Sequence, residues 1–288
     1  MHQISLIHNQ HALFLDFDGT LADIAPHPSA VFVHSDLVPL LRSLHLVLGG
    51  ALAIVSGRSV ADIDMFLSPL KLPAAGEHGM QWRNSAGDYF ELDASTLEPA
   101  LQPLRDAAAL LVKQHDALLL EQKIAGFALH YRMAPALYNL CWQTLAPLVQ
   151  HHPALTLLRG KYVIEVVPSA IDKGTAIQNY LLHPPFAGRT PFFMGDDTTD
   201  EAGFAAVQAA SGHGIKVGAG PSIAQHRCPN PNALRAWLAQ ALSAPQPTAA
   251  YTATYNAARR DASPASVSPD TATATVVHGA HHKGVKTA

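Results

Sequence analysis

The stretch Leu15-Asp16-Phe17-Asp18-Gly19-Thr20-Leu21 closes the apolar run Ala12-Leu13-Phe14, and the reading of the whole chain starts there. The run predicts a short buried strand that Gly19 interrupts. Side chains alternate along extended chain, which puts Asp16 and Asp18 on one side and turns Phe17 away. Two adjacent carboxylates repel each other unless something cationic lies between them. Mg²⁺ fits such a place, since it takes oxygen ligands, keeps several waters and shares a substrate phosphate.

The elements around this strand follow an alternating rhythm. Residues 36–48 predict a helix with Leu37, Leu40, Leu41, Leu44 and Leu48 on one stripe and Asp36 as its cap. Gly49-Gly50 ends it, and Ala51–Val55 is the next short apolar strand. Ser56-Gly57-Arg58 forms a loop, after which Ser59 and Asp62 open another helix. The same rhythm returns with a strand at Pro191–Met194, a helix capped by Thr198 with Glu201 and running to about Ala210, and a strand at Ile215–Val217. Strand, helix, strand, loop, helix is the signature of a parallel α/β sheet.

Between these halves the order changes to helix, two strands, helix, two strands. The helices fall at 98–115 and 135–150, and the strand runs at Leu118–Gln122, Phe127–Tyr131, Leu155–Leu158 and Tyr162–Val166. The expectation is an α/β core over 1–93 and 168–243, carrying an inserted α+β lid over 94–167, with hinges near Asp93–Leu97 and Val167–Ser169. From 244 to 288 the chain is dominated by Ala, Thr, Ser and Pro without apolar periodicity, so a disordered tail is expected.

Composition narrows the function classes. With 48% hydrophobic and 14% charged residues the chain has ample material for a core. A net charge of -3 gives no sign of a nucleic-acid or membrane-surface partner. Cys141 and Cys228, far apart, point to a reducing compartment rather than a disulfide framework. No apolar stretch approaches a membrane span and no leader pattern opens the chain, so a soluble cytoplasmic monomer acting on a small molecule is expected.

Chemistry gathers where open α/β sheets place their sites, at strand carboxyl ends and helix starts. Asp16 and Asp18 are the first group. Ser56 follows the second strand and offers a hydroxyl and a backbone N–H to an anion. Lys173 stands in a first helical turn after Ser169 and Asp172, against the helix dipole, which asks for a reason. Gly195-Asp196-Asp197-Thr198-Thr199-Asp200-Glu201 is costly to assemble without a cation, and Asp196 directly ends its strand. In the inserted segment Glu121 and Lys123 share a strand face, and Lys161 and Glu165 are read the same way. Such charged groups can meet sugar hydroxyls with charge-assisted hydrogen bonds.

Taken in order, Asp-x-Asp-Gly-Thr, Ser, Lys and Gly-Asp-Asp-x-x-Asp resemble the four motifs of the haloacid dehalogenase superfamily of phosphotransferases. The resemblance implies a Rossmann-like parallel-sheet core with an inserted α+β cap. It makes Asp16 the nucleophile that forms an aspartyl-phosphate and Asp18 the acid and then the base. Mg²⁺ is held by Asp16, the backbone carbonyl of Asp18, and Asp196, with Asp197 or Asp200 orienting that shell, while Ser56 and Lys173 bind phosphoryl oxygens. Thr20 fixes the backbone or touches phosphate. Arg58 and His78 contact the substrate or brace the loop. Within the superfamily the chain looks most like the trehalose-6-phosphate phosphatases, through Leu15–Leu21 followed by Pro26, Ile54–Arg58, Gly76-Glu77-His78-Gly79 and Gly195–Glu201. That family grips the distal sugar from its lid, and the matching positions are Glu121, Lys123 and Arg132 on the first lid strand pair, with Lys161 and Glu165 on the second. The alternative within the same chemistry is a sucrose or hexose phosphate. His130 is read as a structural histidine.

Overall fold

Strand β1 (His11–Leu15) is entirely buried, as its unbroken apolar run requires of a strand with neighbours on both edges and layers on both faces. A computed structural model of the chain describes residues 7–243. The segment 244–288, expected to be a tail, lies outside the described residues.

After β1 the chain forms α1 (Leu37–Val47), β2 (Leu52–Val55), α2 (Val60–Phe66), β3 (Ala74–Gly76), β4 (Gln81–Arg83) and β5 (Tyr89–Glu91). Next come α3 (Glu98–Gln114), β6 (Leu119–Lys123), β7 (Gly126–His130), α4 (Tyr138–Val149), β8 (Leu155–Gly160) and β9 (Val163–Pro168). The chain continues with α5 (Lys173–Leu181), β10 (Thr190–Gly195), α6 (Glu201–Ala209), β11 (His213–Val217), β12 (His226–Cys228) and α7 (Pro231–Ser243). Eight strands make one sheet in the order β12-β11-β10-β1-β2-β3-β4-β5. It is parallel from β12 to β3, and β4 and β5 extend it as antiparallel strands. The expected parallel α/β architecture is therefore present, with β1 and β10 adjacent in register, Leu15 beside Met194.

The inserted segment forms a second sheet, antiparallel in the order β6-β7-β9-β8. Its sequence pattern explains its hydrophobic cluster. Leu101, Leu104, Ala108 and Leu111 recur at helical spacing along α3, and Phe127 and Leu129 alternate along β7. This cluster shares no residue with the one around the eight-stranded sheet. Among the described residues no helix is long and apolar enough to cross a membrane.

Several local expectations are corrected. Asp36 makes no capping bond, because its backbone is already helical and its side chain does not meet the first N–H groups. Asp197 rather than Thr198 caps the turn before α6, since Asp197 accepts from the Thr198 N–H while the Thr198 hydroxyl donates to the Arg159 carbonyl. Lys161 and Glu165 do not share a strand: Lys161 sits in the β8–β9 turn, where Tyr162 takes a left-handed conformation (φ +63°) and breaks the alternation. Arg132 likewise lies just past β7.

Phe193 is fully buried on β10, packed against Phe204, and Gly203 leaves room for its ring. Phe193→Ala is expected to lower unfolding free energy by about 3–5 kcal/mol in urea denaturation, through lost burial and the cavity left behind.

Candidate functional site

Parallel strands place their carboxyl ends on one edge of the sheet, and there Asp16 follows β1, Ser56 follows β2 and Asp196 follows β10. Lys173 opens α5 behind a capping box in which Asp172 and Thr175 bond reciprocally. Its ammonium donates to Asp16 Oδ1 at 2.7 Å and to Asp200 Oδ1 at 2.6 Å. The Thr20 hydroxyl donates to the other Asp16 oxygen at 3.0 Å. Asp200 is completely buried and spends its second oxygen on the backbone N–H groups of Asp196 and Asp197, at 2.7 and 2.8 Å. Two bare acids are thereby turned into a brace for the loop that carries a third.

The carboxylates of Asp16, Asp196 and Asp200 can each offer an oxygen within 4.8 Å of the others. Burial holds Asp16 well above the usual carboxylate range even though Lys173 opposes it. Burial and the neighbouring Asp200 push Asp196 up to about 6. Lys173 is raised as well: burial would lower it, but the two carboxylates beside its ammonium more than offset burial. A donor set made only of oxygen, crowded and costly when charged, fits a hard divalent cation. The close approach also explains Gly19, whose left-handed φ of +76° and missing side chain leave space that Asp196 fills.

The remaining expected residues fall into distinct places. Asp18 lies outside the three-carboxylate cluster, held by Arg58 at 2.5 and 2.8 Å in a two-pronged pair. The guanidinium also donates to the Pro28 carbonyl at 2.9 Å and stacks 4.7 Å above Phe66. Asp197 turns toward the β8–β9 hairpin and accepts the Lys161 backbone N–H at 2.6 Å. The Ser56 N–H is spent on the Ala75 carbonyl at 2.9 Å, so only its hydroxyl remains for an anion, and that oxygen accepts from the Arg58 N–H at 3.2 Å.

Over this edge stands the second sheet, and one cavity is lined by both. Asp16, Asp18, Ser56, Arg58, His78, Lys173, Asp196 and Asp197 line it from the first layer. Glu121, Lys123, His130, Arg132, Lys161 and Glu165 line it from the second. Thr20 stays behind Asp16, and Asp200 beneath it, away from the lining. The Lys161 ammonium contacts Asp196, and Arg132 reaches the Ala25 carbonyl. Lys123 contacts Glu165 and donates to the Gly57 carbonyl at 3.0 Å. His78 Nε2 lies 3.2 Å from Glu165 Oε2.

Three contacts in and around the cavity were not expected from sequence. His130 lies 2.8 Å from Glu121 in the cavity, and its alternation with the buried Phe127 and Leu129 was the available signal. Lys216, a lysine inside an apolar strand, donates to the Asp196 carbonyl from a buried position. Glu77 accepts the Ile124 N–H across the two layers at 2.9 Å.

A family model described as Trehalose-phosphatase matches residues 14–234. The chain is 37% identical over 232 residues to trehalose-6-phosphate phosphatase from Escherichia coli (strain K12), across 80% of this chain and 85% of that protein. Among solved structures it resembles the C. albicans trehalose-6-phosphate phosphatase C-terminal domain with a TM-score of 0.76, at 20% identity over 82% of this chain and 93% of that one. A haloacid dehalogenase-like hydrolase from Bacteroides thetaiotaomicron shares the fold with a TM-score of 0.54, at 14% identity over 80% of this chain and 98% of that one.

Glu165 supplies a pH test of the cavity wall. Burial alone would raise it, but the Lys123 ammonium and His78 override burial and hold it well below the usual carboxylate range. A depressed carboxylate contributes stability above its unfolded pKa, and that contribution is lost as pH falls through the folded value. The stability advantage of the native chain over Glu165→Gln should therefore be full at pH 7 and shrink below the ordinary glutamate range, measured by urea unfolding across pH.

Proposed function

The chain belongs to the trehalose-phosphatase family, and on that premise we propose that it hydrolyses trehalose 6-phosphate to trehalose and phosphate. It is a phosphoric monoester hydrolase of the haloacid dehalogenase superfamily. The observation that carries the reading is a single cavity with a nucleophile-and-lysine cluster at its floor and a second set of charged groups across from it.

In this reading one Asp16 oxygen attacks phosphorus while the bond from phosphorus to the sugar oxygen breaks. The departing oxygen takes its proton from Asp18. Asp18, now a carboxylate, next removes a proton from water, whose oxygen attacks the aspartyl-phosphate and releases phosphate and Asp16. Lys173 and the Ser56 hydroxyl hold phosphoryl oxygens in line with Asp16. Arg58 donates to both Asp18 oxygens, so an incoming phosphate ester must draw the guanidinium away before an Asp18 oxygen can meet the departing one. Asp16, Asp196 and the Asp18 carbonyl are the groups that would hold Mg²⁺, with Asp200 bracing the loop and Asp197 at its margin. When bound, such a cation neutralises charge on the carboxylates and on the phosphoryl group.

Glu121, Lys123, His130, Arg132, Lys161 and Glu165 supply donors and acceptors for the hydroxyls of a disaccharide. A site lined this way penalises a smaller ester that leaves those groups unpaired. Separate hydrophobic clusters support reading 1–93 with 168–243 as the catalytic core and 94–167 as a cap. Cys141 and Cys228, buried and unpaired, support a cytoplasmic setting.

Phosphate release from trehalose 6-phosphate should depend on added Mg²⁺ and disappear in Asp16→Asn. Comparable release from glucose 6-phosphate or sucrose 6-phosphate would retain the chemistry and discard the substrate. Glu121→Ala should lower kcat/KM for trehalose 6-phosphate by about 10- to 100-fold, the range of a lost charge-assisted hydrogen bond, with a much smaller effect on p-nitrophenyl phosphate.

A further inference from the structure

Glu77 has no part in the chemistry above, yet it is a buried charged residue held in backbone that side chains rarely adopt. Its φ is +46° and that of His78 is +61°, two left-handed residues in succession without a glycine. Such a conformation persists only where the surroundings over-determine it. Here the Glu77 N–H donates to the Arg58 carbonyl at 2.8 Å and the His78 N–H to the Ser56 carbonyl at 2.9 Å. The turn is thus fastened to the loop that carries Ser56 and Arg58.

The conformation aims two consecutive side chains at the cap. His78 meets Glu165 at 3.2 Å, and Glu77 Oε2 accepts the N–H of Ile124 at 2.9 Å in the β6–β7 turn. Ile124 directly follows Lys123, whose ammonium reaches the Gly57 carbonyl at 3.0 Å. The end of β6 and the turn after it are therefore tied at two successive residues to two core loops that are themselves bonded together. A buried carboxylate is an expensive way to satisfy one amide, since burial raises Glu77 against the help of that amide and of Lys123. Its reach is what a shorter acceptor such as Asp lacks.

We propose that Glu77 is a positioning residue for the cap: its carboxylate holds the β6–β7 turn at the height that sets Lys123 and Glu165 above Asp16. The inference rests on the cavity's being a sugar-phosphate site. A carboxylate that merely supported the fold would affect every substrate alike.

The test compares Glu77→Ala, Glu77→Asp and Glu77→Gln, using trehalose 6-phosphate, p-nitrophenyl phosphate and hydrogen exchange at the Ile124 amide. Glu77→Asp keeps the charge but falls short by one methylene, and it carries the test should Glu77→Ala not fold. In both short variants Ile124 exchange and the KM for trehalose 6-phosphate should rise about tenfold, as expected for one hydrogen bond to a charged acceptor. Turnover of p-nitrophenyl phosphate should stay near that of the native chain. Glu77→Gln, which keeps an acceptor at full reach, should restore both quantities. Unchanged Ile124 exchange in Glu77→Asp, or equal losses on both substrates, would overturn the proposal. If the native chain releases no phosphate from trehalose 6-phosphate, the substrate reading fails, and Ile124 exchange still decides the contact.

Discussion

The Lys173 ammonium, buried between Asp16 and Asp200, is the interaction on which the site depends. Charges taken out of water are tolerated only when paired and fully hydrogen-bonded, and leaving one partner unmatched costs several kcal/mol. Here the pairing does architectural work as well. It joins the start of α5 to the end of β1 and to the turn before α6. Because the other Asp200 oxygen holds two backbone N–H groups, the position of Asp196 follows from the same lysine. A buried cation lining the cavity and the frame of a carboxylate cluster are one residue.

The cluster is nevertheless over-supplied with acid. Burial and mutual repulsion raise Asp16 and Asp196, and Lys173 relieves only part of that cost. The Lys161 ammonium, reaching across from the second layer, meets Asp196 as a further counter-charge. The residual imbalance is what a hard cation would answer, and the oxygen-only donor set matches it.

Polar bridges cross between the two layers at Glu77, His78, Lys123, Lys161 and Thr198. Each layer meanwhile keeps its own hydrophobic cluster. A net hydrogen bond is worth only about 1 kcal/mol because water competes for the same groups. The contacts between the layers are thus polar, and the hydrophobic packing stays within each layer.

Much of this was legible in the chain. The apolar run before Asp16, the leucine stripe of α1 and the alternation of β7 each declare an element, because period and burial are local properties of sequence. The order of Asp16, Ser56, Lys173 and Asp196 points to phosphoryl chemistry through its resemblance to the superfamily's four motifs. Short elements were not legible: Ala74–Gly76 carries no period, and Tyr89–Glu91 is exposed along its length, so only pairing makes them strands. The parity of Lys161 and Glu165 misled because a turn at Tyr162 interrupts the alternation.

The sequence by itself determined the alternating architecture, the separate run of elements between its halves, and Asp16, Ser56, Lys173 and Asp196 at strand ends and a helix start. Tertiary structure alone decided that Asp200 rather than Asp197 joins Asp16 and Asp196, that Arg58 holds Asp18, and that Glu77 meets Ile124. The physical reason is distance along the chain. Periodicity and capping act over a few residues, whereas Asp16 with Asp200 and Arg58 with Asp18 meet only at the edge of the folded first sheet, and Glu77 meets Ile124 only once the second sheet stands over it.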